Sequence, residues 1–589
     1  MLNGGHFLIQ SVTPEQIFTP EEFTKEHNAI SKAVKDFVTG ELVSRGEEIE
    51  KINYELSREL MLKAGELGLL SADIPEEFDG MELDKISSAL ISERFGEGGG
   101  SFTLTELNHT GIGTLPVALF GTDEHKKKYL PGLASGELIG AFGLTEPEAG
   151  SDALNAKTTA ELSEDGKYYV LNGTKAFITN AGFGDLIFTM AKVDGKYFTC
   201  FIVEMDSEGI SLDEEEDKMG VKGTSTCSVI FKDVNVPVEN VIAGVGKGHV
   251  IALNALNMGR FKVGAICIGN AKNAFGEAVR YSKQRVQFGV SICEFGLIKE
   301  KIADMGILLF AGESMIYRTA DLLQKKIYAP ENSQDDIGLR TAKSLEEYLV
   351  ECSIMKIFGT EAQDFVVDEA VQIFGGYGYI HGNPAELAYR NSRPNRIWEG
   401  SNEINRIVIT STLTKRADKG AFDLASSFND VSGKLEKAES VTTDMPDNLD
   451  AQAKMLESAK MLTVFVMEKA HVKHGKGLKN EQEVTGTISD MVIAVYSIES
   501  SILRAIKMLK GKKPSKADIP VKMCKVLVNS SMEKMAGMAK KCLIACEEGE
   551  QLTKDLNIVK KVTSAPAVNT IDLRRDISAY FIRKGRYTI

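Results

Sequence analysis

Residues 168–181 read YYVLNGTKAFITNA, and the fold turns on whether they form strand or helix. They are rich in β-branched and aromatic residues and are broken by Asn-Gly, which is strand and turn chemistry. DLIFTMAKV (185–193), YFTCFIVEM (197–205) and CSVIFKDVNVP (227–237) share that texture. Together they predict a compact antiparallel β domain over 141–245. On both sides the apolar spacing is helical. EEFTKEHNAISKAVKDFVTGELV (21–43) repeats apolar residues every three or four positions; Thr19 is expected to cap it, with Pro20 at the first helical position. From HVIALNALNMGRFKVGAICIGNAKNAFGEAVRYSKQ (249–284) onward long helices return. Residues 418–450 are polar, acidic and weakly periodic, and read as a linker. The expected order is a helical domain (20–140), a β domain (141–245), a helical bundle (246–417), the linker (418–450) and a Lys-rich helical extension (451–589).

At 589 residues the chain is long enough for several domains, and its composition is that of a globular protein. A net charge of −14 argues against nucleic acid as a partner, because phosphate backbones need a basic face. The eight cysteines are scattered, with no C-x-x-C pair, so no metal site is expected; Cys542 and Cys546 share one helix face. No run of about 18 apolar residues is present. The opening MLNGGHFLIQSVTPEQIFTPEEF lacks a secretory or organelle pattern, so the expected address is cytoplasmic. There is no nucleotide-binding G-x-G-x-x-G after a strand, no P-loop and no G-x-S-x-G elbow.

Six stretches carry chemistry, in this order: LTEPEAGSDA (144–153), AFITN (176–180), KMGVKGTST (218–226), RYSKQRVQFG (280–289), QIFGGYGY (372–379) and RIWEGSNEINR (396–406). Taken alone, each has a structural explanation: a junction turn, a buried strand face, a solvated basic helix end, a Gly-Gly helix stop. Six in order, across roughly residues 25–415, resemble the acyl-CoA dehydrogenases. The resemblance implies an α+β fold with an N-terminal helical domain, a middle antiparallel β domain, a C-terminal four-helix bundle and an extra C-terminal helical domain.

It also implies FAD as cofactor. By that resemblance Phe142, Leu144, Thr145, Gly150 and Ser151 belong to the flavin site, and Ser151 also touches substrate. Thr179 lies near flavin N5, with Phe177 against the ring where most relatives have tryptophan. Arg285, Gln287 and Phe288 reach the ADP part of a flavin on a neighbouring subunit, where the arginine fork suits a pyrophosphate. Gln372, Gly375 and Gly376 offer a backbone that a phosphate or ribose can approach, and Ser401 and Glu403 line the cofactor.

Glu399 stands between the only tryptophan, Trp398, and Gly400. A surface helix start explains W-E-G-S locally. The resemblance instead makes Glu399 the base that removes the proton alpha to a thioester, while the beta carbon passes a hydride to flavin N5. Burial beside Trp398 and an acyl chain raises such a carboxyl toward neutrality. Gly400, Asn257 and Arg260 match positions near the substrate, and Arg260 is expected to orient the Glu399 loop. Some relatives carry the base just before that arginine; here that residue is Gly259.

The stretches NMGRFKVGAICIGN (257–270) and FGLIKEKIADM (295–305) and the extension are similar to the very-long-chain branch. This implies a homodimer that oxidises long-chain acyl-CoA and passes electrons to an electron-transferring flavoprotein. Segment 426–450 is acidic and poorly amphipathic, which speaks against membrane attachment there. The pocket floor is expected on a helix containing LTELNHTGIGTLPV (104–117), where Gly111 and Gly113 either keep it open for a long acyl chain or allow close helix packing. Two alternatives stand beside this reading: the same fold acting on branched, aromatic or carrier-bound thioesters, and a non-catalytic scaffold.

Overall fold

The computed structural model describes residues 2–421, 423, 426, 427, 431, 433–435, 449–564 and 567–589. Most of the expected 418–450 linker therefore lies outside the described residues. The α-helices of six residues or more among the described residues are α1 to α17 in chain order. The first block holds α1 (Lys25–Phe37), α2 (Tyr54–Glu66), α3 (Lys85–Gly98), α4 (Gly100–Thr110), α5 (Leu115–Phe120) and α6 (Asp123–Ser135). Its entry differs in detail from the expectation. Thr19 and Pro20 open only a single 3-10 turn, Pro20–Glu22. The true α1 cap is Thr24, whose hydroxyl accepts the His27 N–H at 3.1 Å, the usual remedy for an orphaned first-turn donor.

The β layer comprises β1 (Gly140–Gly143), β2 (Thr159–Leu162), β3 (Tyr168–Thr179), β4 (Leu186–Val193), β5 (Tyr197–Glu204), β6 (Ile210–Leu212), β7 (Thr226–Pro237) and β8 (Val241–Ile242). The sheet runs β6-β7-β3-β2-β4-β5-β8. Its hairpin pairings are antiparallel as expected. Two parallel registers are added, β1 and β2 each against β4, so β1 enters the sheet directly from the helical block. Within β3 the ladder slips between Lys175 and Ile178, and Phe177 takes a left-handed φ of 58°. Such a bulge re-aims one side chain out of the sheet.

The second helical block contains α7 (Gly248–Gln284), α8 (Gly296–Ile327), α9 (Ile337–Glu347), α10 (Leu349–Phe374), α11 (Pro384–Ser392) and α12 (Asn402–Asp418). By length and composition α7 could cross a bilayer, yet 89% of its apolar window is buried inside the protein. It is the core helix of the bundle. α7 and α10 cross where Gly264 meets Gly359: a Cβ on Gly359 would sit 2.6 Å from the Gly264 carbonyl oxygen. Only glycine permits that approach, and it sets the residues a turn either side of the crossing face to face.

The extension consists of α13 (Asp450–His474), α14 (Gln482–Lys510), α15 (Asp518–Cys546), α16 (Gly549–Val562) and α17 (Thr570–Lys584). One apolar core runs from Phe7 through the bundle into the extension as far as Phe581. Buried ions cross the same boundary. Arg504 of α14 donates to Glu313 of α8 at 2.6 Å and to Glu21 at 2.7 Å. Lys272 of α7 bridges Glu313 and Glu93, and the Tyr587 hydroxyl donates to Glu313 at 3.0 Å. Each charge is paired, as burial demands.

Candidate active site

The segment that ends α11 and begins α12 forms the site. Ser401 caps α12, its hydroxyl accepting the Ile404 N–H at 3.3 Å. The two residues before it are both left-handed, Glu399 at φ 55° and Gly400 at φ 75°. For a glutamate that conformation is strained, and the surroundings hold it. Asn405 Nδ2 donates to the carbonyls of Gly400 at 2.8 Å and Ser401 at 3.1 Å. Arg260 Nε approaches the Glu399 carbonyl at 3.4 Å, with its Nη1 donating to Asn257 at 2.9 Å. From α10, Lys356 Nζ donates to the Gly400 carbonyl at 2.9 Å and to Asn402 Oδ1 at 2.6 Å.

The Glu399 side chain lies against α7. A Cβ on Gly259 would come within 2.8 Å of both its Cδ and its Oε2. The absence of a side chain at 259 is thus what makes room for the carboxylate. Oε2 is buried without a hydrogen-bond partner, although the residue as a whole keeps some exposure. Desolvation lifts the carboxyl from the ordinary 4.5 to about 7, against the opposing pull of Arg260 and Lys356. The Trp398 indole N–H beside it is also buried and unpartnered. An orphaned acceptor and an orphaned donor on consecutive residues are unusual in a folded interior and mark a place built to meet a ligand.

One turn along α7, Val263, Ile266 and Cys267 join Leu107 of α4 in a small apolar cluster, with Leu104 packed against it. It supplies an apolar wall beyond the carboxylate. The glycines expected to open a pocket floor do something else. α4 ends at Thr110; a Cβ on Gly113 would strike the Gly140 carbonyl oxygen at 2.6 Å. Gly113 therefore lets the helix turn close against β1, and Gly111 lies at the end of the helix, its N–H donating to the Leu107 carbonyl at 3.0 Å.

The structure brings Phe142, Leu144 and Thr145 together with Phe177 and Thr179. The Ala176 N–H donates to the Thr145 carbonyl at 2.9 Å, and Glu146 and Ala149 close the LTEPEAG turn on each other. Glu146 and Lys175 form a buried ion pair at 2.8 Å that binds the turn to β3. Phe177 is 62% exposed, and Gly150 and Ser151 are exposed. A second group lies at the far end of the bundle. Arg285 sits 6.0 Å from the Tyr377 ring centre, next to the exposed Gln372, Gly375 and Gly376. Phe288, left-handed at φ 52°, is 95% exposed on a two-strand hairpin with Gln287. No hydrogen bond, ion pair or ring contact joins this group to the first among the described residues. Ser401 and Glu403 fall with Glu399, Asn257 and Arg260 in a third.

The donor set suits a flavin. A solvent-facing aromatic on a bulge, exposed Gly150 and threonine hydroxyls offer a flat apolar ring both a face and polar edges. An Arg beside open Gly-Gly backbone, where added Cβ atoms meet nothing within 4 Å, suits a pyrophosphate. Motif reading missed Lys356, Asn402 and Asn405. Asn402 and Asn405 lie inside the RIWEGSNEINR stretch, which by itself gives them no role, and the signal for Lys356 was a lone lysine inside the apolar run VECSIMKIFG (350–359).

Family models describing the acyl-CoA dehydrogenase N-terminal, middle and C-terminal domains match residues 24–137, 141–234 and 246–414. A further C-terminal-domain model matches 458–561. A probable acyl-CoA dehydrogenase of Bacillus subtilis is 44% identical over 597 residues, covering 100% of this chain and 98% of that protein. The human mitochondrial very long-chain specific acyl-CoA dehydrogenase is 33% identical over 476 residues, 76% of this chain and 70% of that one. The crystal structure of an acyl-CoA dehydrogenase complexed with FAD from Bacillus anthracis superposes with a TM-score of 0.97 at 42% identity, over 100% of both chains. With all four segments matched in order around an enclosed glutamate, the chain belongs to the acyl-CoA dehydrogenase family of FAD-dependent oxidoreductases.

Proposed function

We propose that this protein oxidises long-chain fatty acyl-CoA to the trans-2-enoyl-CoA in fatty acid β-oxidation, with Glu399 as the base. The observation that carries the reading is the Glu399 carboxylate: enclosed, unpartnered at Oε2, and held near pH 7 by burial. A carboxyl poised there is ionised often enough to take a proton and basic enough to hold it. The Glu399 N–H donates to no protein acceptor among the described residues; it is free to meet a thioester carbonyl as charge develops on that oxygen. Gly400 keeps the approach clear of a side chain. The apolar cluster around Val263 gives an alkyl chain its wall.

Bound FAD supplies the two-electron acceptor for the beta hydride. The Thr145–Thr179 group is the site we assign to its ring. The exposed Arg285–Phe288 hairpin makes no hydrogen bond, ion pair or ring contact with that group among the described residues, which supports a homodimer in which it serves the partner's flavin. The extension and the similarity to very-long-chain enzymes favour a long substrate, and an electron-transferring flavoprotein as acceptor in the cytoplasm completes the proposal.

Anaerobic addition of palmitoyl-CoA to the purified yellow protein is expected to bleach the visible flavin band. Glu399→Gln should abolish the bleaching while flavin is retained. A flavin that palmitoyl-CoA leaves oxidised, but that a branched or aromatic thioester reduces, overturns the long-chain assignment and keeps the reaction. A protein that retains no FAD favours the scaffold reading.

A further inference from the structure

The Glu399 loop is held by two buried cations, and neither touches the carboxylate. Arg260 on α7 reaches the Glu399 carbonyl, and Lys356 on α10 binds the Gly400 carbonyl and Asn402 Oδ1. The Lys356 side chain is fully buried. Its two partners are both neutral, so an ammonium with no carboxylate in contact is maintained in the interior. Burying a cation this way is costly unless something gains from it. Charged and titratable groups stand around the two cations on α7, α10 and α12. On α7 stand Arg260 and Cys267; on α10, Cys352 and Glu361. On α12, Glu403 is exposed and Arg406 is bonded to Glu361 and Asp490. Glu361 is thus matched by Arg406, and Glu403, which also feels the Lys356 charge, stands in solvent; the buried carboxylate that Lys356 serves through space is Glu399. The arrangement also has a mechanical side. Asn402, gripped by Lys356, donates in turn to Thr360 and Glu361, each at 3.0 Å. One turn of α10 therefore fastens the first residue of α12.

Resting on the reading of Glu399 as the base, we propose that Lys356 is a positioning residue. Its ammonium pins the Gly400 carbonyl and Asn402, which fixes the left-handed Glu399–Gly400 turn, and its charge keeps Glu399 ionisable at neutral pH inside an apolar site. Two effects follow from one group: the base stays in place, and its proton affinity stays low enough for catalysis. Lys356 has its own limit, because burial draws the ammonium down to about 8.

The test is the pH profile of anaerobic flavin reduction by palmitoyl-CoA in the FAD-loaded enzyme. Activity requires ionised Glu399, so the profile rises through the carboxyl's midpoint. Lys356→Met removes the charge, and the midpoint is expected to move up by roughly one pH unit, the size an opposite charge at close range exerts. Lys356→Gln, neutral but still a donor, should shift it equally while keeping more of the plateau rate. Lys356→Arg should restore the wild-type midpoint. Asn402→Ala keeps the ammonium, so it should lower the plateau without moving the midpoint. A midpoint unmoved in the Met and Gln variants, whatever their melting temperature, overturns the proposal and leaves Lys356 a packing residue. If the Met and Gln variants do not fold, a midpoint moved in Asn402→Ala with the charge intact overturns it equally. Glu399→Gln that still bleaches the flavin would instead remove the base assignment on which all of this rests.

Discussion

Replacing Glu399 by glutamine should make the protein more stable, and only above the pH at which an ordinary carboxyl ionises. In the folded protein the carboxyl holds its proton to about pH 7, against 4.5 ordinarily. Between those values the folded state binds a proton that the unfolded state has released, so stability falls as pH rises and levels off above 7. At about 1.4 kcal/mol per tenfold, the displacement is worth about 3 kcal/mol. A glutamine side chain has the same shape and no charge to desolvate, so it escapes that penalty. The FAD-loaded variant should match the wild type at pH 4.5 and exceed it by about 3 kcal/mol at about pH 8. If the 589 residues melt together at about 2.1 cal/mol/K each, that is a Tm higher by about 2–3 °C. Thermal melts at half-unit steps from about pH 4.5 to about pH 8.5, followed by flavin fluorescence and circular dichroism, give the comparison. Parallel stability curves for the two proteins would refute the reasoning, because a carboxyl that ionises normally has no penalty to relieve.

Three further outcomes are expected. Gly259→Ala places a methyl 2.8 Å from the Glu399 carboxyl and should slow flavin reduction by about 100-fold with FAD still bound, read by stopped-flow absorbance. Lys175→Met strips the buried Glu146 of its cation; urea unfolding should show a loss of about 3 kcal/mol together with weaker FAD retention, and Glu146→Gln in the same chain should recover part of it. Arg504→Met leaves Glu313 and Glu21 short of a partner and should cost about 3–5 kcal/mol, measured by thermal denaturation.

What the sequence made legible follows from how each signal is written in it. The β domain announced itself because YYVLNGTKAFITNA and its three companions repeat one chemistry over many residues, and each run lies in a strand. The helical blocks were legible for the same reason. Glu399 was legible because its stretch is one of six that together resemble a family; Trp-Glu-Gly-Ser alone reads equally as a surface helix start. Lys356 was not: a single lysine in an apolar helix carries no period, and its purpose depends on a carbonyl 44 residues away. Gly111 and Gly113 left two readings open, room for a ligand or close packing, because a glycine that spares a ligand and one that spares a neighbouring strand are written alike; at Gly113 the structure shows close packing against Gly140. The ionic cross-links among Glu21, Glu93, Lys272, Glu313 and Arg504 depend on partners far apart along the chain, and no short window of sequence contains them.

Those cross-links also govern the order in which the protein can be made. Domains emerging from a ribosome ordinarily fold from the N-terminal side first. Here Phe7 and Leu8 pack in the same core as Phe581, and Glu313 in the middle of the bundle takes bonds from Arg504 and Tyr587. While α13 to α17 are still being synthesised, Glu313 on α8 has Lys272 but lacks its Arg504 and Tyr587 partners, and the apolar face of α8 that the extension covers is open. The bundle core is complete only when the extension has arrived. Completion of the bundle core is thereby tied to the last helices of the chain to leave the ribosome.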